Sequence, residues 1–127
     1  MTDKKIHRVS SLNKCWIFDL DGTIVKHNGY LIEGEDSFLE GAKEFLKSIP
    51  ESDTIIILTS RKSDYCDITE KFLKEEGIRF NHIIYGMPFG ERILINDDKP
   101  SGLITAFAIN TQRDIFMKDE FIIDNEL

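Results

Sequence analysis

Hydrophobic positions in this chain fall into short unbroken runs, separated by stretches with helical spacing. Trp16-Ile17-Phe18, continued by Leu20, and Thr54-Ile55-Ile56-Ile57-Leu58 lack the polar alternation of a half-exposed strand. They predict two strands buried in a parallel sheet, the first of them central, with Gly22 permitting its sharp exit. Between them, Ser37 and Glu40 have the spacing of a capping box, and Phe38, Leu39, Ala42, Phe45, Leu46 and Ile49 recur on one face until Pro50. An amphipathic helix covering the sheet is expected there. A second helix is expected from Ser63 or Asp64, with Tyr65, Ile68, Phe72 and Leu73 turned inward and Gly77 ending it at C′.

Further apolar runs at residues 82–85, 92–95 and 104–110 read as later strands. The loop between the first two spans about six residues, which is short for a parallel crossover. Those two runs are therefore expected to form an antiparallel hairpin within a mixed sheet. Residues 25–34, with His27, Asn28, Gly29 and Gly34, suit a short hairpin or flap over the first strand end and leave no room for a cap domain.

Composition narrows the class. A chain of 127 residues that is 41% hydrophobic and holds nine phenylalanines can bury a core as one domain. Its net charge of -7 disfavours a groove for the nucleic-acid backbone. Cys15 and Cys66 lack the paired spacing of a zinc or redox motif, which predicts reduced thiols. Residues 1–14 are polar, with Lys4, Lys5 and Arg8, so neither secretion nor a membrane span is indicated and a cytoplasmic protein is expected. The apolar tail around residues 116–123 makes a second copy of the chain a candidate partner.

Polar groups gather where the apolar runs end: Asp19 and Asp21, then Thr59-Ser60-Arg61, then Asp97-Asp98-Lys99. Ligands of open α/β sheets bind at such ends. Two acids there can divide nucleophilic attack and proton handling, whereas the plainer reading of Asp21-Gly22 is a solvated turn. Thr59 and Ser60 equally suit a helix cap, and Arg61 suits either a substrate anion or solvent. His7, His27 and His82 have no metal-ligand spacing.

Taken together, the Asp19-Leu20-Asp21-Gly22-Thr23 signature, Thr59 and Asp97-Asp98 resemble the motifs of the haloacid-dehalogenase superfamily, over about residues 16–110. The match is closest in kind to its small capless phosphatases. The resemblance implies an α/β, Rossmann-like three-layer sandwich with a mainly parallel central sheet. It also implies a Mg²⁺-dependent phosphatase working through an aspartyl-phosphate on a small phosphorylated metabolite such as a sugar phosphate. Asp19 is then the nucleophile and Asp21 the proton donor and acceptor. Thr59 and backbone N–H groups near Leu20 hold the phosphoryl oxygens, with Ser60 and Arg61 toward the substrate. Asp19, the Asp21 carbonyl and Asp97 offer oxygen ligands to Mg²⁺, with Asp98 beside them.

One departure stands out: the lysine that normally precedes the acidic strand end is absent from Gly86-Met87-Pro88-Phe89-Gly90. Lys99 is the first candidate to replace it, ahead of Arg61 and Arg92. The same gap keeps open a second reading, a phosphate-binding or regulatory protein that has lost turnover. A phospho-acceptor domain of the response-regulator kind fits less well, because the middle strand ends in Thr59 rather than an acid.

Overall fold

The computed structural model describes residues 4–127, and it is an α/β chain with two parallel sheets and no closed barrel. It divides into two compact units. One comprises Asn13–Pro88 and Thr111–Met117, the other Met1–Leu12, Phe89–Asn110 and Lys118–Leu127.

The larger unit is built on strands β2 (Cys15–Asp19), β3 (Thr54–Leu58) and β4 (His82–Ile84), all parallel, in the order β2-β3-β4. The register pairs Trp16 with Ile55 and Phe18 with Ile57, so one sheet face carries Phe18, Ile55 and Ile57 into the core. On the other face Ile17 is half exposed. Two expectations are corrected here. Strand β2 is an edge of this sheet and β3 is its middle strand, and the hairpin expected of residues 82–85 with 92–95 is not seen: β4 pairs in parallel with β3, and 92–95 forms no strand among the described residues.

Helix α2 (Ala42–Ser48) presses Ala42 and Leu46 into that core, with Ile49 just beyond its end. It starts later than the capping box predicted, because the backbone of Ser37 and Leu39 is already committed. Lys26 donates to the Ser37 carbonyl at 3.0 Å and Leu39 to that of Ile24 at 2.9 Å, around an antiparallel Val25–Phe38 bridge. Gly41, at φ 88°, then takes the cap position. Helix α3 (Cys66–Glu75) follows a 3₁₀ turn at Ser63–Tyr65. It buries Thr69 and Leu73, and Phe72 packs against the core, whereas Ile68, expected inside, is half exposed. Its end is as the sequence indicated. Gly77, at φ 72°, occupies C′, its N–H meets Lys74, and the Ile78 N–H reaches back to Leu73 at 2.9 Å. This is a Schellman closure with both apolar partners buried.

The legs of the flap lead to a single-turn helix, α1 (Gly29–Ile32), so the short hairpin read at 25–34 carries a helical tip. The chain returns to this unit at Thr111–Met117 and places Phe116 in the core against Phe45, 5.6 Å between ring centres. Phe116 is thus spent internally instead of forming an outward patch.

The smaller unit pairs β1 (Ile6–Val9) in parallel with β5 (Glu120–Ile123), an arrangement no local pattern announced. His7 stacks on Phe121, with ring centres 5.0 Å apart, and bonds Asp119 at 2.7 Å. Residues 92–95 and 104–110, expected as strands, form no ladder among the described residues. Ile93 and Ile95 are 83% and 91% exposed. What ties these arms is local: Asn96 Nδ2 donates to the Thr105 hydroxyl at 2.8 Å, and Lys99 N–H to the Leu103 carbonyl at 3.1 Å. Strand propensity is realised only where a partner edge is present.

Candidate functional site

Parallel pairing sets Asp19 opposite Leu58, so the exits of β2 and β3 lie side by side at their carboxyl ends. This end brings together Asp19, Leu20, Asp21, Thr59, Ser60 and Arg61, all within the larger unit. Asp97, Asp98 and Lys99 belong to the smaller unit, in an exposed turn.

Asp19 is exposed and accepts a hydrogen bond from the Thr23 hydroxyl at 3.2 Å. After it the chain coils tightly. The buried Leu20 offers its carbonyl to the N–H groups of Ile24 and Val25 at 2.9 and 3.2 Å, and Gly22 N–H closes onto Val25 at 2.7 Å. Gly22 stands at φ +81°, and a Cβ there would lie 3.2 Å from Arg113 Cγ, so both backbone and space call for glycine. Asp114 braces the turn: its N–H reaches the Gly22 carbonyl at 2.9 Å and its Oδ1 takes the His27 N–H at 2.7 Å. It does so at φ 65°, a conformation aspartate tolerates better than most residues.

The β3 exit is held from both sides. Thr59 N–H bonds the Ile84 carbonyl at 3.0 Å, and beyond β4 the N–H groups of Gly86 and Met87 reach Arg61 and Thr59 at 2.7 and 3.0 Å. The Thr59 hydroxyl, fully buried, accepts the Arg61 N–H at 3.1 Å and so caps its own turn. Ser60 is partly buried beside it.

Arg61 is where the site departs most from a solvated arginine. Its side chain is 1% exposed. A guanidinium has five N–H donors, and the five bonds made here are Nε and Nη2 to Asp21 (3.0 and 2.9 Å), Nη1 and Nη2 to Asp36 (3.0 and 2.6 Å), and Nη1 to Thr69 (2.8 Å). The Tyr30 ring covers the guanidinium at 3.8 Å. Burial by itself disfavours the charge, but the hydrogen bonds to Asp21 and Asp36 outweigh it and hold the Arg61 pKa above its ordinary value. Burial likewise raises the Tyr30 phenol, with the Asp21 charge adding to it.

Asp36, Tyr30, Thr69 and Asp114 had no signal in the sequence. Asp36 stands in a loop of other acids, 25 residues from Arg61, and no spacing rule links such positions. A groove of about 700 Å³, lined by Asp36, Phe38, Gly41, Lys43, Phe72 and Glu76 among others, touches this cluster only through Asp36. The strand ends, where the polar groups converge, mark the candidate site instead.

Among the described residues no group of three or more His, Cys, Asp or Glu side chains is arranged to hold a metal ion, and no helix is long and apolar enough to cross a membrane. No protein-family model, curated protein or solved structure matches this chain.

Proposed function

We propose that this chain is a Mg²⁺-dependent phosphoric monoester hydrolase of the haloacid-dehalogenase type, acting on a small phosphorylated metabolite of the sugar-phosphate class. The observation that carries the reading is Asp19 itself, an exposed carboxylate at the carboxyl end of a parallel strand with the buried Thr59 turn on the neighbouring strand. A carboxylate so exposed can be approached by a phosphate ester, while the tight Leu20–Val25 coil fixes its backbone.

In the first step an Asp19 oxygen bonds to phosphorus and the ester P–O bond breaks, the leaving alkoxide taking a proton from Asp21. Water then attacks the aspartyl-phosphate, Asp21 regains a proton from it, and Asp19 and inorganic phosphate are released. To carry that proton, Asp21 gives up one of its two bonds to Arg61.

The donor set at the β2 exit suits Mg²⁺, which takes hard oxygen ligands and commonly only one or two carboxylates, the rest being water and phosphate: Asp19 and the Asp21 backbone carbonyl meet that need. When bound, the ion supplies charge neutralisation to the phosphoryl group. The finer architecture belonging to this reading is a Rossmann-like three-layer sandwich. The reading also includes a cytoplasmic setting, in keeping with the free thiols Cys15 and Cys66, and self-association that shields the open site.

Release of inorganic phosphate from p-nitrophenyl phosphate and a panel of sugar phosphates, with and without Mg²⁺, tests the proposal. Hydrolysis that needs Mg²⁺ and disappears in Asp19→Asn supports it. One observation favours a second reading, a phosphate-binding protein without turnover: both Asp21 oxygens are engaged by Arg61. Phosphate binding by calorimetry with no hydrolysis of any ester would decide for that reading.

A further inference from the structure

The Arg61 cluster ties four parts of the larger unit to one side chain. Asp21 comes from the β2 exit, Tyr30 from the tip of the flap, Asp36 from the flap's returning leg, and Thr69 from α3. The two carboxylates use different edges of the guanidinium. Asp21 takes the Nε–Nη2 side and Asp36 the Nη1–Nη2 end, each through both oxygens. Planar forks of this kind fix direction as well as distance.

We infer that Asp36 is a positioning residue for the proposed reaction: by gripping the end of the Arg61 guanidinium it aims the side edge at Asp21 and latches the flap across the strand ends. The inference rests on the phosphatase reading for its catalytic half. Its structural half rests on the cluster alone.

Three features distinguish a latch from ordinary core packing. The Asp36 side chain is 4% exposed although it lies in a loop whose neighbours Glu33, Gly34 and Glu35 are exposed, so its carboxylate alone is drawn inward. Thr69 cannot replace it. That hydroxyl accepts one Arg61 bond while donating its own proton to the Tyr65 carbonyl at 2.7 Å, and it carries no charge. The flap's legs are held by the Val25–Phe38 bridge and the His27 bond to Asp114, but its tip faces outward: Leu31 and Ile32 of the single-turn helix are exposed, and Tyr30 lies on Arg61 and against the edge of Tyr65, 5.1 Å between centres. Without the Asp36 carboxylate, two guanidinium donors lose their partners in a dry site, and the ring over them loses its fixed seat. Arg61 then swings to share itself differently, and Asp21 moves with it. Displacement of a reacting group by about 1 Å is enough to cost on the order of 10²-fold in rate.

The test uses the full chain with p-nitrophenyl phosphate and Mg²⁺, together with residue-resolved amide hydrogen exchange. Asp36→Asn should lower kcat by about 10²-fold with KM little changed. It should also speed exchange at Leu31, Ile32 and Glu33, whose amides bond within the flap helix, while Ile56 and Ile57 in β3 keep their protection. Asp36→Glu, which restores the carboxylate, should recover much of both. Tyr30→Phe, which keeps the ring, should behave as wild type, and Tyr30→Ala should release the flap. Unchanged flap exchange in both Asp36→Asn and Tyr30→Ala overturns the latch. Flap release with kcat unaltered overturns the positioning role alone. Loss of β3 protection in Asp36→Asn with no recovery in Asp36→Glu reduces Asp36 to a structural residue and overturns the inference. A wild-type chain that hydrolyses no ester, tested in the same series, removes the phosphatase reading and with it the catalytic half, and the exchange arm still decides the latch.

Discussion

Arg61 and Asp21 meet side-on, Nε to Oδ2 at 3.0 Å and Nη2 to Oδ1 at 2.9 Å, with the arginine side chain 1% and the aspartate 17% exposed. A buried cation between two carboxylates is needed less for attraction than for what its removal leaves behind. Arg61→Ala strands the Asp21 and Asp36 charges near one another with no counter-ion, and breaking a buried ion pair from one side costs about 3–5 kcal/mol. Urea denaturation of Arg61→Ala should show a loss of that order. A loss below about 1 kcal/mol, the range of exposed ion pairs, would mean the cluster is solvated.

Substitution at the two acids of the β2 exit should separate their roles. Asp19→Asn is expected to remove turnover while the fold, followed by circular dichroism, is retained, because Asp19 is exposed at the strand end and an amide oxygen can still accept the Thr23 hydroxyl. Asp21→Asn is expected to lose about 10²- to 10⁴-fold through proton transfer. It should also lose stability, since Arg61 then lacks one of its carboxylates. Robust hydrolysis in Asp19→Asn would remove it as nucleophile.

The turn after Asp19 supplies a prediction independent of activity. At φ +81°, with a Cβ 3.2 Å from Arg113 Cγ, Gly22→Ala places an L-residue where the left-handed backbone alone costs roughly 1–2 kcal/mol. Thermal unfolding should report a loss of at least that size, and a neutral result would show that the turn can be rebuilt with negative φ.

Much of this was legible in the sequence, for reasons that differ by element. The strands β2, β3 and β4 and the end of α3 follow from local signals: unbroken apolar runs and a glycine that alone accepts φ 72° at C′. What failed depended on partners. Residues 92–95 are as apolar as β4, yet β4 pairs with the β3 edge whereas 92–95 form no ladder among the described residues. The pairing of β1 with β5 joins positions more than a hundred residues apart, as His7 with Asp119 illustrates at a separation of 112. In the site, Asp19, Asp21 and Thr59 were marked by a dense motif and by the ends of strands. Asp36 and Asp114 were not, because a carboxylate's role is set by which donor the fold brings to it. Arg61, read equally as anion contact or solvated group, turned out to be neither: its donors are satisfied by the protein itself.

The vacant lysine position makes its own demand on activity. If Lys99 supplies the missing cation, Lys99→Ala should cost far more in kcat than Arg92→Ala, since charge neutralisation at the phosphoryl group acts on the transition state. Arg61 is the weaker candidate, for a reason of geometry: each of its N–H donors is committed to Asp21, Asp36 or Thr69. Equal, near-wild-type rates in both variants would leave the metal to supply the charge.

Tyr85 offers a test of the β4 end by pH. Its hydroxyl donates to Glu70 Oε2 at 3.0 Å, and burial together with that bond pushes the phenol pKa well above its usual range. A group that binds its proton more tightly in the folded state stabilises the fold while the unfolded phenol is still protonated, below about pH 10. Between the unfolded and the raised folded pKa the unfolded chain loses its proton first, so this contribution falls as pH rises. Ultraviolet titration should therefore show a phenol that ionises late in the wild type and is absent in Tyr85→Phe. In urea denaturation the wild type should exceed Tyr85→Phe at neutral pH by about 0.5–1.5 kcal/mol, the range of an ordinary hydrogen bond, since the pair is only partly buried and solvent screens its charge, and the gap should close above about pH 10. A gap that stays constant into the alkaline range would show that Tyr85 is held by packing and that its bond to Glu70 contributes nothing.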